Sequence, residues 1–281
     1  MRSALLCAAA VLSVSVALQA DVQAAAQDAP NLTFIDQGWL LDSGGTDFLP
    51  PQAGELGPIS NDPKYPHVGN NQGGQPTERI ANIADPNLKP WAADVMKKQN
   101  ELTLAGKRGF VAQSRCWPGG VPAQLLFPAE PVFFIQTPKE VWMIWQRDAH
   151  VRRIYLDRPH SKNPKPAWFG ESVGRYENGE LVVDTIGIAE RPNSYVDNYR
   201  TPHTKNLHVV ERFRVTENGN RLEARIRVDD PGTFNKPWSA QLRWRKVNRG
   251  SMIESICAEN NGANFFHLDE WPMPEAVKAE F

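Results

Sequence analysis

Between Pro131 and Asn260 the chain repeats one pattern: a short run rich in β-branched and aromatic residues, followed by a turn. The runs are Pro131–Thr137, Glu140–Arg147, His150–Asp157, Glu180–Ile188, Leu207–Val215, Arg221–Asp230, Ser239–Val247 and Met252–Asn260. Between most of them stand TPK, RDA, YENG, TENGN, DPG and NRG, turn chemistry that is in part of hairpin length. Strands joined this way lie side by side, so the chain is expected to be mainly β, an antiparallel meander. A lipocalin-like barrel is the leading expectation and a curved sandwich the alternative.

Alternation within the runs says which faces are wet. In one, Leu222, Ala224, Ile226 and Val228 face a core while Glu223, Arg225, Arg227 and Asp229 face solvent. In His150–Asp157 both faces carry polar groups: Val151, Arg153, Tyr155 and Asp157 on one, Arg152, Ile154 and Leu156 on the other. Such a strand fits a barrel whose interior is a polar pocket, with Arg153 and Tyr155 directed into it.

The rest of the chain is organised around this β-rich part. Residues 1–26 read as a secretory signal, with Arg2, an apolar run from Ala4 to Leu18, and small residues before Ala25. Residues 27–88 read as an irregular N-terminal arm, punctuated by SGG, LPPQ, NDPKYP and NNQGGQP, with one or two short strands near Leu32–Leu41. Residues 89–281 read as a single β-rich domain opened by one helix. Pro90 suits the first turn of that helix and Gly106 its stop, while Trp91, Val95, Met96 and Leu102 recur at helical spacing. The insertion from Arg158 to Val173 would cover one mouth of the barrel.

A formal net charge of −1 carries no electrostatic footprint for nucleic acid. After the signal no apolar stretch reaches the ~20 residues of a spanning helix, so no membrane span is expected. Two cysteines follow the signal, Cys116 and Cys257, and in an oxidising compartment they invite a disulfide; a pair of buried thiols is the alternative.

Three motifs carry a resemblance. WFGESVGRYENGELVVDT (Trp168–Thr185), PHTKNLHVVERF (Pro202–Phe213) and DDPGTFNKPW (Asp229–Trp238) are similar to those of a widespread group of exported bacterial proteins. That group reads W-x-G-x-S-x-G…L-V-V-D-T and then H-[ST]-x-x-L-H-V-x-E-R-[FY]. KPWAAD, CWPGGVP, RRIYLDRPH and CAEN extend the likeness over roughly Lys89 to Asn260. Tyr176 stands where tryptophan is expected, Asn178–Gly179 shifts a turn, and Thr204 replaces serine. The resemblance implies shape and export but no reaction, so chemical roles must come from the residues themselves.

His203, His208 and Glu211 fall within nine residues of a segment whose Val209, Val210 and Phe213 want a core. Imidazole titrates near neutral pH and a carboxylate fixes its tautomer, so general acid–base chemistry is the reading of interest. On a strand His208 and Glu211 face opposite sides, and their partners must come from elsewhere. Arg153 with Tyr155 could bind an anion, and Asp184, set among apolar residues, needs a cationic partner. The plain alternative is a satisfied core histidine and a structural ion pair between Glu211 and an arginine such as Arg153. H-x4-H-x2-E lacks the spacing of a helical zinc motif, although His150 or His160 could complete a ligand set. Gly170–Gly174 formally matches G-x-S-x-G around Ser172, but a Pro-rich loop precedes it and YENG follows, against a nucleophile elbow. No pattern for a cofactor is read.

Two function classes follow. One is a cofactor-independent acid–base enzyme, a lyase, isomerase or hydrolase acting on a small, partly aromatic or terpenoid-like molecule. The other is a periplasmic small-molecule carrier. A pocket enclosing two or more of His203, His208, Glu211, Arg153 and Tyr155 favours chemistry; an apolar pocket with them outside favours carriage.

Overall fold

The computed structural model describes residues 29–34, 36–42, 47–69, 78–107, 111–127 and 130–257. The signal read over residues 1–26 lies outside them, as do the middle of the arm at 70–77 and the end of the run expected to reach Asn260. Among the described residues no helix is long and apolar enough to cross a membrane.

Nine strands close into a barrel in chain order. They are β1 (Gly38–Leu41), β2 (Val132–Gln136), β3 (Glu140–Trp145), β4 (His150–Leu156), β5 (Glu171–Glu177), β6 (Glu180–Ile186), β7 (His208–Thr216), β8 (Arg221–Asp229) and β9 (Trp238–Val247). One helix, α1 (Pro90–Leu104), precedes β2. The β-rich expectation and the barrel closure hold, with two differences of topology.

First, the meander is not antiparallel throughout. β4 and β5 run parallel, with Ile154 opposite Ser172 and Leu156 opposite Gly174, because the insertion crosses back along the wall before β5 begins. Second, the closing stave comes from the arm. β1 pairs with β9 from Gly38–Val247 to Leu41–Trp244 and touches β2 through Trp39–Val132. That occupies the edge where the Met252–Asn260 run was expected. Over its described part this run is irregular, held by Asp148, whose N–H donates to Ser255 O and whose carboxylate accepts from Cys257 N.

The β5–β6 hairpin forms because Asn178 and Gly179 both take positive φ, 52° and 74°, the two-residue turn that matches strand twist. Inside the barrel Leu222, Ala224, Ile226 and Val228 are buried as their alternation requires. Phe134, Phe213 and Trp244 meet edge-on or tilted at 6.1 and 6.3 Å, so aromatic side chains fill the middle of the barrel. Helix α1 starts at Pro90 as expected but buries Ala92, Met96 and Asn100, leaving Trp91 and Leu102 exposed. Asn100 explains the rotation: its side chain exchanges two hydrogen bonds with the backbone of Ala81, fastening the helix to the arm.

Candidate functional site

The sequence candidates divide between the inside and the outside of the barrel. Glu211 points inward from β7 and meets Arg152, which is 1% exposed, in a two-pronged ion pair. The guanidinium also donates to Ser172 Oγ at 3.0 Å and to Thr185 Oγ1 at 2.8 Å, and those hydroxyls bond each other at 2.9 Å. Four strands thus contribute to one buried network in which the charges neutralise and nearly every donor is used. Ser172 belongs to it on β5, with no elbow around it.

Arg153 was expected inside and is outside. Met143 faces Arg152 and Val141 faces Ile154 across β3–β4, and these apolar partners fix which side of β4 is the core. Arg153 therefore reaches Glu140 at 2.7 Å and lies over the Trp142 and Tyr155 rings. Arg158 covers Tyr155 from further along. Hydrogen bonds from Trp142 and Arg153 hold the Glu140 carboxyl below its usual range. Arg153 and Tyr155 thus form an exposed ladder rather than an interior anion clamp.

Asp184 and His208 do come together, on the outer wall. Asp184 Oδ1 lies 2.9 Å from His208 Nε2 and 2.9 Å from Nε2 of His160, which the crossover insertion brings over β6. The other ring nitrogen of His160 is 3.2 Å from Glu171. Asp184 thereby raises the His208 pKa, and the two imidazoles, His208 first, hold the Asp184 carboxyl low. With 41% of its side chain exposed, His208 is open to solvent. The result is a chain Glu171–His160–Asp184–His208 that can orient one imidazole for proton exchange. As a metal site it does not converge: among the described residues the only His, Cys, Asp or Glu group of three or more with ligand atoms within 4.8 Å of one another is Cys116, Asp148 and Cys257. Its two sulfurs are joined to each other.

His203 is buried in the link between β6 and β7, with Ser194 Oγ and the Thr204 carbonyl as partners. None of His203, His208, Glu211, Arg153, Tyr155 and Asp184 lines any of three clefts among the described residues. Two outer clefts over β7–β9, about 200 and 160 Å³, are lined by Arg212 and Arg225. A third, about 250 Å³, lies between the arm and the tip of the β6–β7 link. Its walls include Phe48, Pro58, Ile59 and Leu126, and its ionisable groups are Asp47, Asp197 and Tyr199.

Sequence reasoning missed these three. Asp197 is buried and accepts from the amides of Tyr199 and Thr201 at 2.9 and 3.1 Å and from Thr201 Oγ1 at 2.8 Å. Burial pushes its carboxyl up to about 6 against those hydrogen bonds. Burial also raises the Tyr199 phenol. The only local signal is an aspartate with amide donors two and four residues on, which marks a turn and not a ligand. Compared with models of known protein families, with curated proteins and with solved structures, the chain matches none.

Proposed function

We propose that this is an exported binding protein for a compact, largely apolar small molecule, and that it belongs to the group of exported bacterial proteins it resembles. One observation carries the binding role: the apolar cavity of about 250 Å³ beside Phe48, Ile59 and Leu126 has all six ionisable candidates outside it. A hydrophobic seat with a few convergent polar groups is what a small ligand needs, and Asp197 and Tyr199 would set its orientation. The N-terminal segment and the Cys116–Cys257 bridge support an oxidising compartment.

The test uses camphor and guaiacol, a terpenoid and a lignin-like phenol, followed by calorimetry and amide chemical shifts. Saturable binding with shifts at Ile59, Leu126 and Tyr199 is expected. Gly57 also lines the cavity, and a Cβ there would meet only Pro51 atoms, at 3.4 and 3.9 Å. Gly57→Leu should therefore fold normally and weaken binding by tenfold or more. Unchanged affinity in that variant, or no binding by either probe, overturns the cavity as the seat.

The shared carboxylate of Asp184 favours a second reading, acid–base catalysis at His208. A raised folded pKa means that the His208–Asp184 interaction contributes fully below the unfolded value of about 6.5 and fades as pH rises through the folded value. Proton NMR should find His208 titrating above about 6.5, and Asp184→Asn should lower it. On any substrate found in a turnover screen, His208→Gln should cost roughly 100-fold. Wild-type turnover in that variant would remove His208 from the chemistry.

A further inference from the structure

The link between β6 and β7 folds back on itself, with Val196 N donating to Thr201 O and Tyr195 facing Pro202. At its base Ser194 and His203 meet, 5% and 4% exposed. Ser194 Oγ is 2.8 Å from His203 Nε2, and His203 Nδ1 is 3.1 Å from the Thr204 carbonyl. A carbonyl oxygen can only accept, so Nδ1 carries the proton and Nε2 presents its lone pair to the serine hydroxyl. Burial lowers the His203 pKa, which favours the neutral imidazole that a general base requires.

The surroundings complete the arrangement. Thr204 is fixed by Asp230, which accepts from its amide and its hydroxyl at 2.6 Å each. Gly120 passes opposite the serine with φ +74°; a Cβ there would lie 3.8 Å from Ser194 Oγ and 3.3 Å from the Trp168 carbonyl. Among the described residues neither the Gly120 nor the Tyr195 amide N–H has a protein acceptor; Tyr195 follows the serine in the chain, and Gly120 passes opposite its hydroxyl. Beside them the half-buried rings of Trp117 and Trp168 lie 5.9 Å apart, with Arg191 over Trp168.

We propose that Ser194 and His203 are a nucleophile and base that hydrolyse small esters of a short acyl group with an aromatic alcohol. Ser194 Oγ bonds to the ester carbonyl carbon as its proton passes to His203 Nε2. The amides of Gly120 and Tyr195 hold the oxyanion. The carbon–alkoxide bond then breaks, and the imidazolium returns its proton to the departing alcohol. Water adds to the acyl-serine by the same route, His203 taking its proton and handing it to Ser194 Oγ, which leaves the free acid. The depth of Ser194 limits the acyl group to a few atoms, while Trp117 and Trp168 provide a surface for the aromatic alcohol. Thr204 and Asp230 act as positioning residues. None of this rests on the ligand cavity.

The folded full chain would be treated with a small alkyl fluorophosphonate and read by intact mass and peptide mapping, with p-nitrophenyl acetate as the turnover probe. One adduct at Ser194 is expected, with labelling and hydrolysis both reduced at least tenfold in His203→Gln. No adduct at Ser194, or equal labelling without His203, overturns the proposal. Should His203→Gln not fold, Ser194→Cys decides, because it keeps the hydrogen-bond partner of His203. Its thiol should react with iodoacetamide near pH 6, where an ordinary thiol with pKa of about 8.5 is protonated. An inert thiol overturns the assignment.

Discussion

Glu211→Ala is expected to cost about 3–5 kcal/mol of folding stability, because it leaves the Arg152 guanidinium charged, buried and without its counter-ion. Ser172 and Thr185 supply dipoles to that guanidinium but no charge, so they cannot replace the carboxylate. Arg152→Met alone strands Glu211 in the same way. The double replacement Arg152→Met with Glu211→Leu should recover most of the loss, since both charges leave together and their space is refilled with apolar volume. Denaturant midpoints at constant slope would check all three. If the single variants lost less than about 1 kcal/mol, the network would be wetter than its geometry implies.

Removing the Cys116–Cys257 bridge is the second large perturbation. The half-cystines are 141 residues apart in sequence with Cα atoms 5.5 Å apart, and the chain-entropy argument gives about 5 kcal/mol for such a loop. The bridge joins the turn after α1 to the tail after β9, so it straps together the two ends of the β-rich part. The double serine variant should lose several kcal/mol and expose the tail around Ile253 to proteolysis first. Intact mass of the native protein should fall two hydrogen masses below the reduced chain. Two thiols alkylated without denaturant would refute the bridge.

The sequence was most readable where one periodicity met no competitor. Leu222 to Val228 alternate cleanly, and Pro90 marks a helix start, because each signal is local. β5 was hidden for the opposite reason: Glu171, Gly174 and Arg175 are poor strand residues in isolation. Gly174 is there because a Cβ would press against Ile154 at 2.7 Å, a constraint set by the parallel neighbour. The choice between Arg152 and Arg153 was equally illegible, since both faces of β4 carry arginine and only the pairing with Met143 and Val141 decides. His160 joins Asp184 from 24 residues away, across the insertion. The cavity gathers the arm, Leu126 and the β6–β7 link, segments that no local pattern relates.

The strand supplied by the arm has a consequence far from where it sits. Directions around a closed ring can alternate up and down only when the ring has an even number of members, just as a circular chessboard edge of nine squares cannot be coloured black and white without a repeat. Once β1 enters as the ninth stave, at least one pair of neighbours must point the same way, and here the repeat falls between β4 and β5. A same-direction pair cannot be joined by a hairpin and needs a crossing segment. That segment is what carries His160 to Asp184. The closing of the barrel at Gly38–Leu41 and the His160–Asp184–His208 cluster on its outer wall are therefore tied together by arithmetic, although no contact links them.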